Sequence, residues 1–297
     1  MHEHNDADNQ SNALATLRRI RGGRPKLEVI SAQPSAPRDA PPILFVHGAW
    51  HGAWCWGEHF LDYFSKNGFA AHAFSLRGHG SSEGKDRLRR VRLRDYVEDV
   101  AAVAESLPAP PILVGHSMGG FVVQKYLETR SAPLAILMAS LPPGGAWRLM
   151  LRCMRKQPLD VIKSNLTVSL WPIISNQKRA HGALFSPEMP SGMVARYHAL
   201  LQDEAVFAYF DCLFDVVSPG RIAAPIIVMG AGEDKMITPL EVTITAEAYG
   251  VEPIIFPDCA HDMMLDLEWR NVADTIIREL ELRFSSGHER SRIRTAA

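Results

Sequence analysis

From residue 43 to residue 257 the chain alternates short, almost wholly apolar runs with longer stretches of helical period, and few architectures accommodate that rhythm. The runs are ILFVHG from Ile43, AAHAFSL from Ala70, PILVGHS from Pro111, LAILMAS from Leu134, APIIVMGAGED from Ala224 and EPIIFP from Glu252. Each is rich in Ile, Val, Leu and Phe, and most end in Gly or Pro, which reads as strands. A strand apolar on both faces must be covered on both, as parallel strands flanked by helices are. Between two of them, RLRDYVEDVAAVAESL sets Leu93, Tyr96, Val97, Val100 and Val103 on one stripe with charges opposite, a helix with one buried face. The alternation predicts an α/β fold built on an open, doubly wound, mostly parallel sheet.

The rhythm breaks from about Pro142 to Pro219, where no strand pattern appears and helical pieces carry Met150, Trp171, Phe185 and Phe210 among other bulky apolar residues. An insertion of that length between two strands reads as a helical cap over 142–219, with the core at 26–141 and 220–285. Residues 1–25 read as disordered and 286–297 as a basic, solvated tail. A formal net charge of -1 gives no basic face, so no nucleic-acid partner is expected. The longest apolar runs fall far short of the roughly 20 residues of a spanning helix, so no stable membrane insertion is expected either. The polar N-terminal stretch lacks the apolar core of a secretory signal, which makes a cytoplasmic location the default expectation. The four cysteines are scattered without a C-x-x-C pair and read as reduced, packed thiols. Cys259, two residues before His261, reads either as a nucleophile or as a small apolar residue in a tight loop. Oligomeric state is not legible.

Gly115-His116-Ser117-Met118-Gly119-Gly120 follows the strand-like PILV and precedes the helix-like FVVQKYLETR. In that setting G-x-S-x-G is a sharp strand-to-helix turn that lifts a strained serine above the sheet. The helix beginning beyond Ser117 also points its positive end at the hydroxyl.

GHSMGG, together with His47-Gly48-Ala49-Trp50 after one strand and RGHGSS (Arg77 to Ser82) after the next, resembles the α/β-hydrolase family. Within it the chain is similar to small serine esterases and to lysophospholipase-like or monoacylglycerol-lipase-like members. HGAWHGAWCW is also similar to the start of plant methylesterases and hydroxynitrile lyases. The resemblance covers roughly residues 40 to 285 and implies the α/β-hydrolase fold, a serine nucleophile at Ser117, and a small-molecule ester as substrate. It further implies an oxyanion hole made by the backbone amides of Met118, next after the nucleophile, and Ala49, in the loop after ILFVHG.

A serine hydroxyl needs a base to take its proton, and twelve histidines offer candidates. His261, in PDCAHDMM between the last strand and the last helix, is the choice. His116 reads as packing, His79 as stabilising its own loop, and His181 and His198 as insertion residues, His198 lining either pocket or surface. For the acid, the resemblance points to Asp234 in Ala231-Gly232-Glu233-Asp234, with Glu233 its local rival; Asp262 and Asp266 lie too near His261 to be preferred. The order Ser117, Asp234, His261 is the one this fold uses. No His/Cys/Asp cluster has ligand spacing and no phosphate-cradling loop appears, so neither metal nor cofactor is expected. Trp50, Met150, Trp171, Phe185 and Phe210 are candidate substrate-lining residues for an apolar acyl or aromatic ester, though each also reads as cap core. Thioester or C–C hydrolysis, perhydrolysis and lyase chemistry on the same residues stay open, as does a ligand-binding protein without turnover.

Overall fold

A computed structural model describes residues 14–18 and 25–284. Along the chain come β1 (Leu14–Arg18) and β2 (Leu27–Ala32). The six apolar runs then follow as β3 (Ile43–Val46), β4 (Ala71–Phe74), β5 (Ile112–His116), β6 (Ala135–Met138), β7 (Ile226–Ala231) and β8 (Pro253–Phe256). The described residues form one eight-stranded sheet in the order β1-β2-β4-β3-β5-β6-β7-β8. Strands β3 to β8 run parallel, while β1–β2 and β2–β4 are antiparallel.

The antiparallel edge departs from expectation. β1 falls inside the segment read as disordered, and its order comes from pairing with β2, from Leu14 opposite Ser31 to Arg18 opposite Leu27. Apart from Pro25, the rest of that segment, and the tail at 286–297, lie outside the described residues. β2 gave no apolar run because it is half-buried: Leu27 and Val29 face inward while Glu28 and Ile30 are partly exposed.

β3 and β5 sit at the middle, and their apolar residues from Ile43 to Val46 and Ile112 to Val114 are fully buried. Each such side chain contributes about 1.5–3 kcal/mol relative to exposure, which is why these runs read as strands so plainly. From β3 the chain runs through α1 (Trp54–Gly57) and α2 (Phe60–Lys66) to β4 on one side. It returns through α3 (Leu93–Ser106) to β5 on the other. That reversal leaves the loops after β3 and β5 side by side at the carboxyl edge of the sheet, where α/β folds bind ligands. The stripe foreseen on α3 is inward: Leu93, Tyr96, Val100 and Val103 are buried and Val97 is half-buried.

Between β6 and β7 the chain builds α5 (Trp147–Lys156), α6 (Pro158–Thr167), α7 (Gln177–Leu184), α8 (Ser191–His198) and α9 (Val206–Phe214). After β7 come α10 (Pro239–Tyr249), β8 and α11 (Trp269–Phe284). The insertion is tied down by charge: Arg92, at the start of α3, grips Asp211 of α9, and Arg152 of α5 reaches Glu241 of α10 at 2.7 Å.

The turn after β5 leads into α4 (Met118–Leu127), whose start presses on the end of β3. A Cβ on Gly119 would lie 2.2 Å from the His47 carbonyl oxygen and 2.7 Å from that of Val46, both backbone atoms that cannot swing aside. Gly119→Ala is therefore expected to lower stability by about 1–3 kcal/mol through overpacking. Gly144→Ala, where a Cβ meets nothing within 4 Å, should stay within about 0.5 kcal/mol. Urea unfolding midpoints check the pair, and equal midpoints would contradict the packing argument.

Candidate active site

Ser117 lies at the tip of the β5–α4 turn with φ 54° and ψ -121°, a strained combination for a residue bearing a Cβ. The surroundings hold it there. Its N–H donates to the Met138 carbonyl at 3.1 Å, and its carbonyl accepts from Gly120 at 3.0 Å and Leu141 at 3.2 Å.

His261 reaches the serine from the loop after β8. Its Nε2 is 3.0 Å from Ser117 Oγ and its Nδ1 is 2.7 Å from Asp234 Oδ2. Asp234 is fixed in turn, because its Oδ1 accepts from the N–H groups of Met236 at 2.7 Å and Ile237 at 2.9 Å. With Nδ1 facing a carboxylate, the proton belongs on Nδ1, which leaves Nε2 free to accept from the serine hydroxyl. Burial works against the charged form of His261, but the carboxylate of Asp234 outweighs it and holds the imidazole above its ordinary range.

His116, read as packing, has a sharper part. Its Nε2–H donates to the His261 carbonyl at 2.9 Å, steadying the backbone of that loop. Burial first, then the neighbouring His261, push its pKa down to about 3, so it stays neutral. Glu233 is half-buried, and its backbone N–H donates to the Cys259 carbonyl at 3.0 Å. Of the remaining acids, Asp262 pairs with His51 at 3.0 Å and Asp266 accepts from the Ser186 N–H at 2.9 Å. Burial pushes the Cys259 thiol up, the opposite of what a nucleophilic thiolate needs; it is the small packed residue of the two readings.

The loop after β3 lies beside Ser117: a Cβ on Gly48 would come within 2.9 Å of the serine Cβ. His47 holds this loop. Its Nε2 accepts from Leu76 N–H at 3.0 Å, so its proton sits on Nδ1 and donates to the Gly48 carbonyl at 2.8 Å. Burial, with His79 nearby, lowers its pKa to about 3 and keeps that tautomer. The backbone N–H groups of Ala49 and Met118 donate to no other group among the described residues.

Sequence reading missed three groups that brace this loop. His51 contacts Ala49 and Asp262, Glu204 accepts from Trp50 N–H at 3.2 Å, and Gln202 N–H donates to the Trp50 carbonyl at 3.0 Å. Glu204 is also met by Tyr96 Oη at 2.6 Å and by His79 Nε2 at 3.2 Å. Burial opposes its charge, yet His79 and Tyr96 bring its pKa down to about 2. His79 thus does more than hold its own loop.

The five candidate lining residues make the following contacts. Trp50 is buried in the loop after β3 with φ 67°. Phe185 packs on Tyr197 at 5.8 Å, and Trp171 lies beside His198 at 5.6 Å, both within the insertion. Met150 and Phe210 line a small cavity within the insertion together with Cys153, Ile173 and Tyr209. These four make their described contacts as core of the insertion, because its helices turn their apolar faces on one another. His198 Nε2 contacts the Ile174 carbonyl at 3.0 Å and His181 Nε2 that of Ser186 at 2.9 Å, so both serve the insertion.

His116, His261 and Asp262 bring one ligand-type atom each within 4.8 Å of one another. Both ring nitrogens of His261 already face Ser117 and Asp234, so a cation there would have to break that line. Among the described residues no helix is long and apolar enough to cross a membrane.

A parallel sheet with a strained serine at the central turn, and a histidine delivered to it from the loop after the last strand, defines the α/β-hydrolase class. The family model for the alpha/beta hydrolase family matches residues 43–275, and the chain belongs to that family. Among sequence relatives it is 28% identical over 149 residues to protein phosphatase methylesterase 1 of Bos taurus, covering 48% of this chain and 39% of that protein. It is 40% identical over 89 residues to methylesterase 10 of Arabidopsis thaliana, covering 29% of this chain and 31% of that one. The chain thus spans well under half the length of these relatives. Among solved structures, a monoglyceride lipase from Saccharomyces cerevisiae superposes with a TM-score of 0.71 at 15% identity, covering 93% of this chain and 96% of that one. An esterase from Exiguobacterium antarcticum does so at 0.65 and 16%, covering 86% and 96%. At such identities the likeness is one of fold.

Proposed function

We propose that this chain is a carboxylic ester hydrolase that works through an acyl-enzyme on Ser117, with His261 as base and Asp234 as its partner. The reading is carried by the line of 3.0 and 2.7 Å contacts from Ser117 Oγ through His261 to Asp234, beside two backbone amides with no other partner. His261 Nε2 takes the hydroxyl proton as Oγ attacks the ester carbonyl. The carbonyl π pair moves onto oxygen, where the N–H groups of Ala49 and Met118 receive it. Collapse of the tetrahedral species expels the alkoxide, which takes the proton back from His261 as the alcohol departs. Water, deprotonated by the same nitrogen, then attacks the acyl-enzyme and frees the acid and Ser117. Asp234 keeps the imidazole in the required tautomer and balances its charge while it holds the extra proton. We read the substrates as small esters with an apolar acyl group or an aromatic alcohol, and the methylesterases among the relatives support ester cleavage over the lyase and C–C alternatives.

The pH dependence tests this. Only neutral His261 can accept the serine proton, and Asp234 holds its pKa above the ordinary value of 6.5. The kcat/KM for p-nitrophenyl acetate should therefore rise with pH along a limb whose midpoint lies above 6.5. Below that midpoint it should fall about tenfold per pH unit. A limb centred at or below the ordinary imidazole value contradicts the assignment, and no hydrolysis at any pH contradicts the function.

A further inference from the structure

The peptide joining Ala49 to Trp50 is gripped at both ends. Its carbonyl, that of Ala49, lies 2.7 Å from His51 Nδ1, and its N–H, that of Trp50, lies 3.2 Å from Glu204 Oε2. A carbonyl only accepts, so Nδ1 of His51 carries a hydrogen. The other ring nitrogen is 3.0 Å from Asp262 Oδ2, and the two side chains are 1% and 0% exposed. Trp50 has a φ of 67°, in the left-handed region that a bulky side chain rarely adopts, so this loop does not keep its shape on local preference alone.

No step of the proposed reaction uses His51 or Asp262. Their placement relative to it is nonetheless specific. His51 stands two residues after Ala49, and Asp262 directly follows His261. The pair therefore ties the carbonyl of Ala49, one peptide on from the N–H proposed to receive the oxyanion, to the backbone beside the proposed base, across 211 positions of sequence. Asp262 is anchored in its turn, its N–H donating to the Leu184 carbonyl at 2.9 Å. Burial pushes its carboxyl up, but the facing His51 ring holds it below the usual carboxylate range. A buried pair of polar side chains adds little net stability over well-packed apolar residues, because desolvation offsets the attraction. A geometric duty accounts for it better.

We infer that His51 and Asp262 are positioning residues that fix the direction of the Ala49 N–H relative to His261, so that oxyanion site and base form one rigid unit. The inference rests on the esterase reading of the site.

The two hydrogen bonds of His51 can be separated. An asparagine amide nitrogen falls near Nδ1 and keeps the grip on Ala49, whereas a glutamine nitrogen falls near Nε2 and keeps only the contact with Asp262. With p-nitrophenyl acetate, His51→Asn is expected to retain kcat within about fivefold, whereas His51→Gln should lose roughly 30-fold with KM changed less than about twofold. The Ki of an alkyl trifluoromethyl ketone, whose serine adduct places an oxyanion on the same amides, should rise by the same factor as kcat falls. Asp262→Asn should show the same signature at about tenfold, and it is the variant to read where a His51 substitution does not fold. Losses that track thermal unfolding midpoints, equal losses for Asn and Gln, or an effect confined to KM would overturn the positioning role. A wild type that neither cleaves the ester nor responds to the ketone sinks the esterase reading itself, and the inference with it.

Discussion

Ser117→Ala is expected to lower kcat on p-nitrophenyl esters by about 10⁴-fold or more and to abolish labelling by a fluorophosphonate probe, with folding intact. The magnitude follows from what the hydroxyl does in the proposed mechanism: every bond made to the acyl group is made by Oγ. What survives its loss is binding and oxyanion stabilisation acting on water, which serine hydrolases stripped of their nucleophile retain at a small fraction of full activity. The fold should be indifferent, because alanine keeps the Cβ and so neither relieves nor adds to the strain at φ 54°. The Oγ has no described contact except His261. An unchanged urea midpoint with lost labelling separates chemistry from damage. Equal labelling of the variant and the wild type would remove Ser117 as nucleophile.

What could be read beforehand, and what could not, divides by the range of the forces involved. The serine turn was legible because its constraint is local: a strand, a strained residue and a helix within a few positions leave room only for glycine two positions to either side of the serine. The central strands were legible for a similar reason, since burial on both faces writes a continuous apolar run. β2 and β1 were not, because β2, half-open to solvent, mixes Leu27 and Val29 with Glu28 and Ser31, and the state of β1 is decided by its pairing with β2. The His51–Asp262 and Trp50–Glu204 contacts join residues 211 and 154 positions apart and leave no mark in either neighbourhood. Nothing in the sequence names the partner of either His51 or Trp50. The insertion shows the same limit. Its helices display apolar faces clearly, yet whether Met150 or Phe210 turns toward a ligand or a neighbouring helix depends on packing angles that no periodicity records.

Asp234→Asn should cost nearly as much as losing the serine, and the reason lies in the carboxylate's other oxygen. Oδ1 accepts two backbone N–H groups, from Met236 and Ile237, so only an oxygen can sit there. An asparagine is thereby forced to place its carbonyl on that side and to turn its NH₂ toward His261 Nδ1. That nitrogen must then accept, which moves the imidazole proton to Nε2 and aims an N–H at Ser117 Oγ where a lone pair is needed. The base is present, correctly placed and in the wrong tautomer. A loss of about 10⁴-fold in kcat is expected, with the turn at 234–238 and the unfolding midpoint little changed. Glu233→Gln, one position earlier, should leave kcat within a few-fold, since that residue's described hydrogen bond is made by its backbone, to Cys259. Because both variants remove one negative charge from the same loop, a general electrostatic effect would weaken them alike. A large gap between them isolates the hydrogen bond to Nδ1, and the reverse ranking would hand the role to Glu233.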